Sequence, residues 1–164
     1  MLPYIIVGII LGLPVFFGIF FRVSASHLFF SVMTGELLGR YFGDDIEHFI
    51  SQTFTNSNLA QYAHAIVITL PVILTALFLK GSVSKSKSIL NLFPLVITSV
   101  VYGAFILPVL PPDVQALAVT VPFGKDLLDT SNAIIGGVVL VQLVALWLLN
   151  RGDRSSGKKS RKRG

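Results

Sequence analysis

Glu36 and Arg40 are ionisable residues one helical turn apart in an otherwise apolar stretch, and His27 precedes them on the same segment. An ionisable group inside a membrane helix is a candidate for proton or ion transport. A structural interpretation is also open, because a glutamate followed by a basic residue four positions later forms a neutral pair that can anchor a helix end. The sequence therefore predicts either a polar transport site at His27, Glu36 and Arg40 or a structural ion pair.

Small residues recur at every fourth position of the same segment. Such residues let helices approach closely in a bilayer, where packing drives association. Because a short turn joins the first two helices, we expect this stripe to pack against the first helix, with association between protomers as the alternative. The candidate packing residues are Gly8 and Gly12 in the first helix and Ser31, Gly35, Gly39 and Gly43 in the second.

The remaining residues give little indication of chemistry. Asp44 and His48, with Asp45 and Glu47 nearby, could offer ligands to a divalent ion, but no second histidine stands at ligand spacing. The chain has no cysteine, no phosphate-binding glycine loop and no zincin helix. We therefore predict a protein that is not an enzyme and uses no metal or cofactor, with an acidic amphipathic segment after the second helix.

Long apolar runs dominate the 164 residues, of which 53% are hydrophobic and 13% charged. A soluble domain averages about 25% charged residues, and about 17–25 apolar residues form a membrane-spanning helix. We predict an all-α, polytopic helical membrane protein, with residues 1–150 forming one domain. The five predicted transmembrane helices are about 3–21, 24–42, 63–79, 88–110 and 133–149, and the alternative is four spans with 24–42 re-entrant or interfacial.

The basic residues predict the orientation, because Lys and Arg are retained on the cytoplasmic side. The basic tail, 151–164, is predicted to be disordered, cytoplasmic and in contact with anionic lipid headgroups. The linker 80–87 then lies inside, the acidic segments 43–62 and 111–132 lie outside, and the N-terminus is outside. No motif supports a nucleic-acid partner. The predicted lipid-contacting residues are Arg151, Arg154, Lys158, Lys159, Arg161, Lys162 and Arg163.

Residues 16–42, FFGIFFRVSASHLFFSVMTGELLGRYF, resemble the opening of the colicin V production protein family of bacterial inner-membrane proteins. In that family a first helix ends in glycine and arginine, here Gly18 and Arg22, and a second helix follows a tight turn. VVYGAFILPVL, residues 100–110, resembles the family's glycine-containing late helix. The similarity covers about residues 5–110. The family's second glycine and second arginine after the turn are missing, and the fifth helix with its basic tail is an addition.

The resemblance implies an envelope-related or secretion-related membrane protein and transfers no catalytic residues. Together with the composition, it predicts a non-enzymatic, multi-pass protein of the cytoplasmic membrane that acts as a scaffold in assembly or export. The expected partners are the lipid bilayer and a second copy of the chain or another membrane protein. The alternative is a small channel or transporter with its polar site on the second helix.

Overall fold

Helices are the only regular secondary structure in the part of the chain that the computed structural model describes, which is residues 1–53, 57–83, 88–129, 135–144 and 146–147. The all-α prediction is therefore confirmed for these residues, whereas the predicted lipid-contacting tail, 151–164, lies outside them. The helices are α1 (Leu2–Phe20), α2 (Ala25–Thr53), α3 (Ser57–Ala60), α4 (Ala63–Phe78), α5 (Ser88–Ile106), α6 (Pro112–Val119), α7 (Pro122–Leu128) and α8 (Ile135–Val144), with a 3₁₀ turn at Leu107–Val109.

The second helix is longer than its apolar run. The sequence predicts a span at 24–42, but α2 continues to Thr53 and contains 29 residues. Its later part has no proline and carries exposed acidic side chains, so nothing ends the helix where hydrophobicity ends. At ~1.5 Å per residue, α2 is about 43 Å long and exceeds a hydrocarbon core of about 30 Å. Much of the acidic segment 43–62 is therefore a continuation of α2.

Two short helices fill the connection between α5 and α8. The sequence predicts a short helix or strand at 114–121, and the structure has helix α6 there, followed by α7. Each begins with a proline, whose missing N–H would be unpaired at that position in any case. Gln115 Nε2 donates to the carbonyl oxygens of Pro108 (2.9 Å) and Leu110 (2.7 Å). These bonds hold α6 against the 3₁₀ turn that follows α5.

The long helices alternate in direction. Gly18 of α1 lies beside Leu95, while Leu11 lies beside Gly103, so α1 and α5 are antiparallel. In the same way α2 packs antiparallel to α4, and α8 places Gln142 against Pro94 near the beginning of α5. The core between these helices is apolar, and its most buried members are Val23, Leu28, Phe29, Val32, Ile68, Val72, Leu95 and Val101.

The outward faces of the long helices are also apolar. Leu2–Phe20 and Asn91–Val109 are each long and apolar enough to cross a membrane, and only 17% of the α1 span is buried in the bundle. Soluble monomers rarely expose large continuous apolar surfaces, so these two helices favour a membrane location. Exposed large side chains include Ile5, Ile9 and Phe16 on α1, Phe30 and Leu37 on α2, Leu70 and Leu74 on α4, Phe93 and Val96 on α5, and Leu140 and Val141 on α8.

The α1–α2 turn is hydrogen-bonded to the connection between α4 and α5 and to Asn91 near the beginning of α5. Arg22 has φ +53°, a left-handed conformation that directs successive carbonyl groups toward this connection. The turn is therefore closed by residues about 60 positions later in the chain. The bonds run from Gly81 N–H to Phe21 O (2.8 Å), from Val83 N–H to Arg22 O (3.0 Å), from Asn91 Nδ2 to Val23 O (3.0 Å) and from Ala25 N–H to Asn91 Oδ1 (2.8 Å).

Candidate functional site

The most extensive helix contact follows the small-residue stripe of α2, which faces α4. A Cβ atom at Gly35 would collide with the backbone oxygen of Ile68. A Cβ atom at Gly39 would lie 2.9 Å from Cγ1 of Ile68, and one at Gly43 would collide with the His64 ring. Helices α2 and α4 thus touch at backbone distance, as small residues permit. We call this contact, from Ser31 to Gly43 of α2, the glycine seam.

The partner of the stripe differs from the sequence-based expectation, which paired it with the first helix. Among the described residues, nothing lies within 4 Å of where a Cβ would stand at Gly8 or Gly12. Helix α1 instead packs on α5, where Gly18 and Gly103 receive leucine side chains. The tight turn brings the ends of α1 and α2 together but does not direct the glycine face, because each helix packs mainly with a later one.

A cluster of ionisable side chains lies where the glycine seam ends. Nε2 of His64, at the beginning of α4, is 3.2 Å from Oδ1 of Asp44, and its Nδ1 is 3.7 Å from Oε2 of Glu47. The imidazole occupies the space that a side chain at Gly43 would fill. The His64 side chain is 26% exposed, compared with 96% for Asp44 and 47% for Glu47. The ring is thus held between the helices, with the carboxylates facing solvent.

These three residues are the ones in the described part whose ligand atoms could hold a metal ion, since the atoms lie within 4.8 Å of one another. The sequence pointed to His48 instead, because it is one turn from Asp44, but Nε2 of His48 is paired with Gln52 Nε2 at 2.8 Å. His64 is 20 residues from Asp44 in the chain. The antiparallel register of α2 and α4 brings the two together, and spacing along one helix gives no sign of it.

The predicted transport residues do not form one site. Arg40 Nε donates to Glu36 Oε1 at 2.7 Å, and the Arg40 side chain is 65% exposed. His27 precedes Glu36 by nine residues on the same helix. At ~1.5 Å and about 100° per residue, nine residues give a separation of about 14 Å and place the two on opposite faces. The ion pair is therefore separate from His27.

His27 lies instead in a groove of about 260 Å³ between α2 and α4. The groove contains hydroxyl groups and an imidazole but no carboxylate, and it passes Pro71, the proline inside α4. Ser31 Oγ donates to Leu28 O at 2.7 Å, and Thr34 Oγ1 donates to Phe30 O at 2.8 Å. The residues that line the groove are His27, Phe30, Ser31, Thr34, Pro71, Thr75 and Leu79.

Other polar side chains are buried between helices, where they join helix to helix. Gln142 Nε2 of α8 donates to the backbone oxygen of Pro94 (3.0 Å) and to Oγ1 of Thr98 (3.3 Å), both on α5. Thr69 Oγ1 of α4 donates to Ala65 O (2.6 Å) and lies 2.8 Å from the hydroxyl of Tyr102 on α5. Among the described residues, Gln142 Oε1 is buried without a hydrogen-bond partner.

The two ends of the bundle differ in charge. One end, which we call the turn end, holds the α1–α2 turn with Arg22 and Lys80, and no described Asp or Glu lies there. Glu36 pairs with Arg40 about midway along α2. The other end, which we call the acidic end, carries Asp44, Asp45, Glu47, Asp113, Asp126 and Asp129 together with Lys125.

No family model, curated protein or solved structure matches this chain. The resemblance to the colicin V production protein family stays a prediction.

Proposed function

We propose that the chain is a multi-pass protein of the cytoplasmic membrane with five helical crossings, and that it acts without catalysis as a scaffold in envelope assembly or export. In this proposal the acidic end and the N-terminus face outward, and the turn end and the basic tail face the cytoplasm. The predicted resemblance to the colicin V production protein family suggests the same cellular setting.

The observation that carries this proposal is the distribution of polar and apolar side chains. Large apolar side chains are exposed on α1, α2, α4, α5 and α8, whereas Ser31, Thr98, Ser99 and Gln142 are buried. A bilayer would cover the exposed apolar faces. The buried hydroxyl and amide groups are used in bonds to backbone carbonyl groups of the bundle. This arrangement supports packing between helices as the role of the interior.

The charge distribution supports the orientation. Arg22 and Lys80 share the turn end, which the proposal places in the cytoplasm, where basic residues are retained. The alternation of α1, α2, α4, α5 and α8 also supports five crossings, because consecutive antiparallel helices place the acidic connections on one side. Helix α2 then crosses the bilayer with its first part and projects its acidic remainder outward.

Single-cysteine labelling tests the orientation, since the chain has no cysteine of its own. We expect an impermeant maleimide to label Asp45→Cys and Asp113→Cys in intact spheroplasts, and Ser82→Cys only after lysis. Labelling of Leu2→Cys in intact spheroplasts distinguishes five crossings from four. Labelling of Ser82→Cys before lysis would overturn the orientation.

Complementation of a deletion strain tests the scaffold function. We expect the double variant Glu36→Gln with Arg40→Gln to restore envelope integrity and export, because Arg40 is 65% exposed and glutamine keeps the size of Glu36, whose side chain is 14% exposed. Gly35→Leu should fail, because it separates α2 from α4. A double variant that is present at normal level yet inactive would contradict the scaffold and favour transport.

A small transporter is the second candidate, and the groove at His27 favours it. The groove lies beside Pro71, and helices interrupted by proline often border transporter sites. If the groove conducts, Thr75→Val and His27→Leu should reduce solute or ion flux in proteoliposomes. Equal flux in the wild type and in empty liposomes would exclude this candidate.

A further inference from the structure

The cluster at the acidic end of the glycine seam has the composition of a metal site. We propose that His64 of α4, with Asp44 and Glu47 of α2, binds a divalent first-row transition ion of the Zn²⁺ type. The ion would join α2 to the beginning of α4. This inference is independent of the proposed function, because the chain could be a scaffold with or without the ion.

The distances between ligand atoms suit such an ion. Zn²⁺ binds histidine nitrogen and carboxylate oxygen at about 2.0–2.2 Å, so two tetrahedral ligands lie about 3.3–3.5 Å apart. Nε2 of His64 and Oδ1 of Asp44 are already 3.2 Å apart. All three ligand atoms lie within 4.8 Å of one another. One ion takes one ring nitrogen, so binding at Nε2 beside Asp44 requires the Glu47 side chain, which lies by Nδ1, to rotate to the same side.

The glycine seam fixes the histidine relative to the carboxylates. The His64 ring lies against Gly43, the residue directly before Asp44, in a space that any side chain would occupy. The backbone contact between Gly35 and Ile68, two turns further into the seam, sets the register of the two helices. The ligands are thus positioned by packed elements and do not depend on a loop.

The local charge also favours a cation. In the described part, the ion pairs of Asp44 and Glu47 are with His64, and Arg40 is paired with Glu36. Two carboxylates therefore face one imidazole, and a divalent ion would neutralise both. An imidazole ligand favours Zn²⁺ and similar ions over the hard cations Mg²⁺ and Ca²⁺. Water would complete the coordination, because Asp44 is almost fully exposed.

The experiment is titration of the purified full chain in detergent, without a histidine tag, against Zn²⁺ and a competing indicator. We expect one saturable site per chain that Mg²⁺ does not compete for. His64→Ala should weaken the affinity at least about tenfold, since loss of even an outer-shell partner costs about 10–100-fold. Asp44→Asn should also weaken it, and this residue is so exposed that its replacement leaves packing intact.

His48→Ala is the matched control, because His48 lies one turn from Asp44 on the same helix but is paired with Gln52. Its Zn²⁺ affinity should equal that of the wild type. Zn²⁺ should also raise the melting temperature of the wild type and of His48→Ala, but not that of His64→Ala. The proposal is overturned if the chain shows no saturable binding, if His64→Ala and Asp44→Asn bind like the wild type, or if His48→Ala is the variant that loses binding.

Discussion

The glycine seam and the contact between α1 and α5 both use glycine, but in different ways. At Gly35 the neighbouring atom is a backbone oxygen, that of Ile68. At Gly18 and Gly103 the neighbouring atoms belong to the side chains of Leu95 and Leu11. A backbone can move away only if the whole helix moves, whereas a leucine can change rotamer. The two contacts therefore differ in how much extra volume they can accept.

The strongest test of this comparison is Gly35→Ala. The added methyl group must separate α2 from α4, so we expect a loss of about 3 kcal/mol of stability or more, the upper part of the range for overpacking. The melting temperature in detergent should fall by about 6–12 °C. Gly8→Ala is the control, because no described atom lies within 4 Å of the added Cβ. A Gly35 variant as stable as the control would mean that the two helices do not touch at backbone distance.

Gly103→Ala should have a smaller effect. Its methyl group meets the end of the Leu11 side chain, which is half-buried and can change rotamer. We expect a cost of about 1 kcal/mol, at the lower limit of overpacking. Thermal unfolding under the same conditions measures it. A cost as large as that of Gly35→Ala would remove the distinction between the two contacts.

Gln142→Leu extends the comparison to α8, which is joined to α5 by hydrogen bonds. The variant loses the bonds to Pro94 and Thr98 but also removes a buried oxygen that has no described partner. Hydrogen bonds between membrane helices are worth about 0.6 kcal/mol on average, so the net change should be below about 1 kcal/mol. Gln142→Glu should cost more in the same unfolding assay, because it buries a charge.

Glu36→Gln with Arg40→Gln should have the smallest effect, because the pair lies within one helix, Arg40 is exposed, and glutamine keeps the size of the largely covered Glu36. Surface ion pairs are worth about 0–1 kcal/mol, and because one partner here is exposed we expect only a small change of melting temperature. A large loss of stability would show that the pair holds α2 to another element and is a third contact that stabilises the bundle.

Hydropathy and spacing predicted the helices and the small-residue stripe. The apolar runs at 3–21 and 63–79 match α1 and α4 within one residue at each end. The four-residue spacing of Gly35, Gly39 and Gly43 predicted a face for close packing, and in the structure these glycines meet α4. Such features can be predicted because they depend only on the residues within one segment.

The partner of the stripe and the His64 cluster depend on which helices become neighbours. The sequence around Gly35 does not indicate which helix it will contact, because the contact is to the backbone of Ile68 and not to a particular side chain. His64 has no partner at close spacing in the sequence, since the residues it meets, Asp44 and Glu47, lie on a separate helix. The end of α2 could not be predicted from hydropathy, because the apolar run stops near Phe42 whereas the helix continues to Thr53. Tertiary pairing, not propensity, decided each of these features.

The hydrogen bonds that close the α1–α2 turn can form only after a later part of the chain has been synthesised. The carbonyl group of Phe21 emerges from the ribosome 60 residues before its donor, Gly81. At about 5–20 residues per second, the delay is roughly 3–12 seconds. During that interval water must satisfy the carbonyl groups of the turn. The first hairpin is therefore completed by a later part of the chain, and a nascent polypeptide stalled before residue 81 would leave it unfinished.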